Sequence, residues 1–176
     1  MRQLGKAVIA AAVALLLASC AKTGTPQPDA GVGTDTDWPT VGGAADEASY
    51  SRLTQIDTAS IGKLGLAWSL DLPGEVTLEA TPLAVDSVLY FTGSYATVYA
   101  VDAKSGQQLW KFDPAKMHFS FGANRGAAYE NGKVFAVALD GRMFALDAKT
   151  GKELWHADTI PMGKMMISTG APRVMN

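Results

Sequence analysis

From about residue 81 onward, the chain alternates short apolar runs of strand length with polar turns. Residues 81–85 are followed closely by a second run at 88–91, and the same arrangement returns at 126–129 and 134–137. In the second pair the linking turn contains Asn131-Gly132, a dipeptide that two-residue hairpin turns favour because both positions adopt positive φ. Each pair of runs therefore predicts an antiparallel β-hairpin.

Each predicted hairpin leads into a block of sequence that is repeated almost unchanged. Residues 100–110 are AVDAKSGQQLW and residues 145–155 are ALDAKTGKELW, which places the two copies 45 residues apart. Four short strands in a repeat of this length make one β-propeller blade. The pattern predicts an all-β propeller with about two complete blades, and residues 170–174 as the first strand of a third. Residues 64–70 predict one more strand, of the kind that completes the last blade and closes the ring.

A tryptophan and a glycine turn stand at matching places in both copies. Trp110 and Trp155 end the repeated blocks, whose turns contain Gly106 and Gly151. An indole buries a large area and its N–H needs a hydrogen-bond partner, so we expect these rings to dock on small residues of neighbouring blades. A single hairpin with its tryptophan in an ordinary core is the alternative, but it does not explain why the whole block recurs. Because such repeats bury their apolar faces only against neighbours, residues 20–176 alone are expected to aggregate or to pack loosely.

The beginning of the chain predicts an export signal and a tether. A basic start precedes the apolar run 7–17, which is too short to span a membrane and predicts a signal peptide over residues 1–19. The sequence Leu-Ala-Ser-Cys resembles the bacterial lipobox, which implies lipidation of Cys20, periplasmic localisation and a lipid anchor in a membrane, the outer membrane being favoured. An ordinary signal peptide with an incidental cysteine is the alternative. Residues 20–37, rich in Gly, Pro, Thr and Asp, predict a flexible tether.

The charge balance bears on the class of function. The chain has 15 basic and 17 acidic residues, and loss of Arg2 and Lys6 with the signal peptide leaves 13 against 17, a net charge of −4. No basic run stands out, so the composition gives no support to nucleic-acid binding. The sequence also shows no nucleophile elbow, phosphate loop or dinucleotide fingerprint. Composition and periodicity alone therefore indicate an exported β-propeller fragment.

Four segments, in order, resemble the quinoprotein alcohol dehydrogenases, the methanol/ethanol family that uses pyrroloquinoline quinone (PQQ). They are Asp37-Trp38 with residues 50–57 (YSRLTQID), residues 78–83 (LEATPL), residues 123–126 (ANRG) and residues 168–172 (STGAP). The resemblance covers roughly residues 37–176. It implies an eight-bladed propeller in the full-length protein, of which residues 38–176 would be the N-terminal part.

The resemblance also implies three cofactor-binding residues. Glu79 would hydrogen-bond a polar group of PQQ, Arg125 would reach the reactive quinone oxygen, and Thr169 would hydrogen-bond a carboxylate of the cofactor. A guanidinium is a permanently charged planar fork that suits such oxygens. Each residue also has a simpler interpretation, as a solvated strand-start glutamate, an arginine in a surface ion pair and an ordinary strand threonine. Their occurrence together favours the cofactor site.

The remaining chemistry of the family is expected further along than Asn176. In the family a Ca²⁺ ion acts as Lewis acid and an aspartate takes the alcohol proton, and we expect neither the catalytic residue nor the metal ligands in this chain. Asp140 and Asp147 are predicted to be turn residues. Hydride transfer from the alcohol to PQQ would be followed by electron transfer to a cytochrome c, either separate or fused as a haem c domain.

One departure from the family and one competing hypothesis complete the sequence-based interpretation. Where the family often has adjacent cysteines, this chain has Phe119-Ser120, so a vicinal disulfide cannot form, and Phe119 or Phe121 is our hypothesis for an aromatic face over PQQ. The competing hypothesis is a cofactor-free lipoprotein scaffold that resembles the propeller of the outer-membrane β-barrel assembly machinery. Such a scaffold has the repeat and the lipobox, but it does not need Arg125 beside Glu79.

Overall fold

The computed structural model describes residues 36–44, 46–114, 122–161, 164 and 166–175. The predicted signal peptide, Cys20, the tether as far as residue 35 and the segment with Phe119 and Phe121 lie outside the described residues. The regular structure consists of two antiparallel four-stranded sheets and two short 3-10 turns. In the described part of the chain, no helix has the length and apolar character needed to cross a membrane.

Each sheet is a meander in which the strands pair in sequence order. The first blade consists of β1 (Leu83–Val85), β2 (Val88–Thr92), β3 (Val98–Asp102) and β4 (Gln108–Phe112). The second blade consists of β5 (Ala128–Glu130), β6 (Lys133–Val137), β7 (Arg142–Asp147) and β8 (Glu153–Asp158). The 3-10 turns are Ile61–Lys63 and Ser94–Ala96. The prediction of two four-stranded blades is thus confirmed.

The sequence repeat is also a repeat of backbone geometry. The pairing of β3 with β4 shifts register between Ala100 and Val101, and the pairing of β7 with β8 shifts at the equivalent place, between Ala145 and Leu146. Asn131 and Gly132 have φ values of 47° and 74°, as a type I′ hairpin turn requires.

The glycine turns of the repeated blocks are held by aspartate side chains. Asp102 Oδ1 accepts hydrogen bonds from the backbone N–H of Ser105 at 2.7 Å and from its hydroxyl at 2.8 Å. Asp147 makes the equivalent bonds with Thr150, at 2.9 Å to the N–H and 2.7 Å to the hydroxyl. These bonds favour the ionised carboxylate and lower the pKa of both aspartates. Asp147 is therefore a turn residue, as its sequence context predicts.

The core lies between the two sheets and is formed by apolar side chains from both. Its buried members include Leu83, Val85, Tyr90, Val98, Val134, Phe144 and Leu146. Tyr90 crosses the interface, since its hydroxyl donates to Ala148 O at 3.2 Å and its ring stacks on Tyr129 at 5.7 Å between centroids. Burial raises the pKa of Tyr90 to about 12, so the hydroxyl remains a hydrogen-bond donor at neutral pH.

Two tryptophans lie against glycine turns of the following blade. Trp110 Nε1 donates to Ala148 O at 2.9 Å, and a Cβ atom added to Gly151 would lie 2.6 Å from the indole. Trp68 makes the same contact one blade earlier. Its Nε1 donates to Ala103 O at 3.0 Å, and a Cβ atom added to Gly106 would lie 2.5 Å from the indole. The ring can approach so closely only because these positions have no side chain.

Trp155 holds the equivalent position in the second blade. Its side chain is 43% exposed and lies beside Phe135, with 6.0 Å between ring centroids. Among the glycines that the structure describes, none receives this ring.

The two predicted single strands find no strand partner within the described structure. Residues 64–70 and 170–174 have no strand assignment within the described structure. An extended segment becomes a strand only when its backbone pairs with a neighbour, and neither segment pairs along its length here. Residues 64–70 instead contribute Trp68 to the first blade through its side chain.

We expect Gly151→Ala to destabilise the full-length protein by about 1–3 kcal/mol more than Gly132→Ala. Both glycines have φ near +70°, so both variants carry a similar backbone strain. Only the Cβ added at Gly151 collides with an indole, whereas nothing lies within 4 Å of a Cβ added at Gly132. The difference in stability between the two variants therefore reflects overpacking. Urea unfolding measures both changes, and equal destabilisation would show that the Trp110 contact contributes nothing.

The turn aspartates predict a specific acid dependence of stability. Because the pKa of Asp102 and of Asp147 is lowered in the folded state, their contribution is present above about pH 4 and is lost as the pH falls through the folded-state pKa. We expect an Asp102→Asn/Asp147→Asn double variant to lose less stability than the parent over that acid range. Urea midpoints at a series of pH values test this, and parallel curves would be contrary to it.

Candidate functional site

Three chain segments meet at the end of the blades where β1 and β5 begin. Arg125 N donates to Thr169 O at 2.9 Å, which joins the segment before β5 to the one after the second blade. Gly126 has φ +127°, and a Cβ placed on it would lie 3.5 Å from Thr81 O and 3.7 Å from Ala171 Cβ. The segments that carry Glu79, Arg125 and Thr169 are therefore packed side by side.

The side chains of the three predicted cofactor-binding residues meet at this junction. Arg125 Nη1 donates to Thr169 Oγ1 at 2.5 Å, and Arg125 Nη2 lies 3.8 Å from Glu79 Oε2. The Arg125 side chain is 56% exposed and that of Glu79 is 44% exposed. Ion pairs with this much solvent access contribute roughly 0–1 kcal/mol to stability. Stabilisation of the fold therefore does not account for the arrangement.

The neighbours of Arg125 in the Asn-Arg-Gly motif have structural roles. Asn124 is 1% exposed, and its Nδ2 donates to Val137 O at 2.9 Å while its Oδ1 accepts from Gly126 N at 3.1 Å. The amide nitrogen thus ties the loop to β6, and the amide oxygen closes a turn within the loop. This fixes the backbone on either side of Arg125 and leaves the guanidinium at the surface.

Asp140, in the turn between β6 and β7, is engaged by an arginine. Asp140 Oδ2 accepts from Arg142 Nε at 2.8 Å, and Asp140 Oδ1 accepts from Arg142 N at 3.1 Å. Arg142 also donates to Pro114 O at 2.6 Å. Asp140 is therefore part of a structural ion pair in a turn. Within the described residues, no group of three or more His, Cys, Asp or Glu side chains could hold a metal ion.

The chemistry of the junction suits a flat anion with several oxygens. A guanidinium offers five N–H donors, more than the contacts to Thr169 and Glu79 use. The Thr169 hydroxyl accepts from Arg125 and can still donate its own proton, while ionised Glu79 only accepts. The three residues therefore present a cation, a hydroxyl donor and an anionic acceptor on one surface, and this set fits the quinone and carboxylate oxygens of PQQ.

An apolar groove borders the Glu79 segment, since Leu78 and Ala80 on either side of Glu79 are among its lining residues. It has a volume of about 300 Å³ between residues 68–82 and the first blade, and its lining includes Trp68, Leu72, Leu78, Phe91 and Val101. Its lining is apolar apart from Thr92, whereas a quinone or carboxylate ligand needs several hydrogen-bond donors. We therefore place the candidate site at Glu79, Arg125 and Thr169.

Other residues with structural roles escaped the sequence-based interpretation. Trp68 had a usable signal, because it precedes Trp110 by 42 residues, close to the repeat length. Glu75, Ser94 and Tyr99 form a hydrogen-bonded cluster beside the Glu79 segment, and nothing in their spacing indicates it.

Known proteins match most of the described chain. Residues 38–165 match the family model for the PQQ glucose/ethanol/alcohol dehydrogenase β-propeller domain. The quinohemoprotein alcohol dehydrogenase ADH-IIG of Pseudomonas putida is 40% identical over 146 residues, with 79% of this chain and 20% of that protein covered. The 1-butanol dehydrogenase (cytochrome c) of Thauera butanivorans is 41% identical over 146 residues, with 79% and 21% covered.

A solved structure gives the same result. The crystal structure of the quinohemoprotein alcohol dehydrogenase from Comamonas testosteroni matches with a TM-score of 0.74 and 44% identity, covering 79% of this chain and 22% of that chain. The chain therefore spans about a fifth of the length of the relatives that it matches.

The division of roles within the Asn-Arg-Gly motif predicts contrasting variants. Asn124→Ala leaves Val137 O buried without its donor, so we expect a loss of about 1–3 kcal/mol in the free energy of unfolding of the full-length protein. Arg125→Ala removes an exposed side chain, and we expect a change within about 0.5 kcal/mol. Urea unfolding separates the two, and a larger loss for Arg125→Ala would reverse the assignment.

Proposed function

Because the chain belongs to the family of PQQ-type glucose/ethanol/alcohol dehydrogenase β-propellers, we propose that it forms the first blades of a PQQ-dependent alcohol dehydrogenase. The observation on which the proposal depends is the meeting of Glu79, Arg125 and Thr169 at one end of the blades. These are the positions at which the family resemblance places cofactor contacts. The scaffold hypothesis is not favoured, since the family and the relatives are dehydrogenases.

Each of the three residues has a role that its geometry allows. When bound, PQQ supplies a quinone that accepts two electrons. Arg125 would donate to a quinone oxygen and would stabilise the negative charge that grows there when the alcohol is oxidised. Thr169 accepts from Arg125, which orients the guanidinium, and its hydroxyl would donate a hydrogen bond to a carboxylate of the cofactor. Glu79 would accept a hydrogen bond from a polar group of the cofactor.

Further parts of the proposal concern the whole protein. A Ca²⁺ ion and a carboxylate base would be supplied by later blades. The relative named 1-butanol dehydrogenase (cytochrome c) supports an alcohol as substrate and a cytochrome c as electron acceptor, and the quinohemoprotein relatives support a haem c domain. The lipobox-like sequence at Cys20 supports a periplasmic location with a lipid anchor.

We expect Arg125→Ala in the full-length protein to lower PQQ affinity and to lower kcat of alcohol oxidation by about 10²–10³-fold, as for loss of one donor to a developing anion. The measurement is dye reduction with added PQQ and Ca²⁺, together with titration of the apoprotein with PQQ. Thr169→Val should reduce affinity by a smaller factor, because the guanidinium remains.

The matched control is Arg52→Ala. Arg52 is 55% exposed and forms one exposed ion pair with Asp46 at 3.0 Å, so the variant removes an arginine of similar exposure whose ion pair involves none of the three site residues. Its affinity for PQQ should equal that of the parent. If the parent protein neither binds PQQ nor oxidises alcohols, the dehydrogenase proposal fails and a scaffold takes its place.

A further inference from the structure

A partly buried hydrogen-bond cluster lies directly beside the segment that leads to Glu79. The backbone N–H of Ser94 donates to Glu75 Oε2, and the Tyr99 hydroxyl donates to Glu75 Oε1 at 2.5 Å. Ser94 and Tyr99 are each 2% exposed. Burial, followed by the hydrogen bond to Glu75, raises the pKa of Tyr99, so Tyr99 remains a donor. Both oxygens of the Glu75 carboxylate therefore have a partner.

The Ser94 hydroxyl holds the backbone just beyond Glu75. Ser94 Oγ accepts from Val76 N at 2.8 Å and from Thr77 N at 3.0 Å, and it donates to Thr77 O at 3.1 Å. One hydroxyl thus serves three backbone groups that have no strand partner. Two residues further on, Glu79 faces Arg125.

The turn that carries Ser94 is shaped for this contact. Tyr95 and Ala96 have φ values of 61° and 65°, a conformation that costs non-glycine residues about 1 kcal/mol or more each and persists only when the surroundings impose it. Gly93 allows the close approach, since a Cβ there would lie 2.5 Å from Glu75 Oε2. Tyr95 N also donates to Gly122 O at 2.8 Å.

The same turn therefore contacts both sides of the candidate site. Ser94 holds the segment that leads to Glu79, and Tyr95 holds the segment that leads to Arg125. The Glu79 segment is also fixed on its far side, where Thr81 lies against Gly126. Glu79 stands between these two fixed points and has itself a half-exposed side chain.

We propose that Ser94, supported by Glu75 and Tyr99, is a positioning residue that sets Glu79 opposite Arg125 for cofactor binding. This inference rests on the proposed function, because it concerns how Glu79 is presented to PQQ. Loss of the hydroxyl frees two N–H groups and one carbonyl of residues 76–77, and Glu79 then samples positions from which it does not reach the cofactor. Small displacements of a positioning group have large effects on function.

The test is a double-mutant cycle on PQQ affinity in the full-length protein. We expect Ser94→Ala to raise the Kd for PQQ about tenfold in the parent background, an amount equal to about 1.4 kcal/mol. In a Glu79→Gln background, where the carboxylate is already absent, Ser94→Ala should alter the Kd for PQQ by less than about twofold. An equal penalty in both backgrounds, or no penalty in the parent, would overturn the proposal.

Two further variants test whether the effect of Ser94→Ala on Kd comes from a general loss of folding. Tyr99→Phe keeps the buried ring and removes only the hydroxyl bond to Glu75, so it should show a weaker penalty that also disappears with Glu79→Gln. Ser105→Ala is the matched control, since Ser105 serves a turn at the opposite end of the first blade. Its Kd should stay within about twofold of the parent value, and a tenfold rise would mean that the effect of Ser94→Ala is not specific.

Hydrogen exchange of the apoprotein separates this inference from the proposed function. Ser94→Ala should speed exchange at the amides of Val76 and Thr77, which donate to the Ser94 hydroxyl, whereas Ser105→Ala should not. If Ser94→Ala speeds exchange but the parent protein binds no PQQ, the cofactor proposal alone is refuted. If the parent binds PQQ but Ser94→Ala leaves exchange at Val76 and Thr77 unchanged, the positioning role alone is refuted.

Discussion

The contact between a tryptophan ring and a glycine turn is the interaction on which this structure depends. Trp68 and Trp110 each lie flat on a glycine of the following blade and donate to a carbonyl of the same turn. An indole combines a large apolar area with one directed donor, so it fixes both the distance and the rotation between neighbouring sheets. The glycines permit this because a side chain at either position would occupy the space of the ring.

That fixed relation between the blades brings the candidate site together. Glu79 precedes β1, Arg125 precedes β5 and Thr169 follows the second blade, so no two of them share an element. They meet because the blades are packed in register and because Gly126 lets the neighbouring segments touch. The interior supplies the rigidity, while the three functional side chains stay partly exposed at the rim, where a ligand can reach them.

Polar groups around the site serve two different purposes. Asn124, Asp140 and Glu75 have their polar atoms engaged by backbone groups or neighbouring side chains, and they hold loops in place. Arg125 has one short contact and a distant carboxylate. A guanidinium kept at the surface by a buried amide beside it is better explained by binding than by stability, since exposed ion pairs contribute little.

The sequence by itself determined the blades. The recurrence of the Asp-x-x-x-Gly turn and of Leu-Trp, with Asn-Gly at a hairpin, specifies local geometry through side-chain acceptors and positive φ, and both act within a few residues. The family resemblance also pointed to Glu79, Arg125 and Thr169.

Only the tertiary structure decided how those elements meet. It showed that residues 64–70 form no strand with the described chain, because pairing depends on a distant partner. It assigned the role of Trp68, and it revealed the cluster of Glu75, Ser94 and Tyr99, whose members make contacts across 17 to 24 residues. Periodicity cannot report such contacts, since their geometry depends on the packing of loops against sheets.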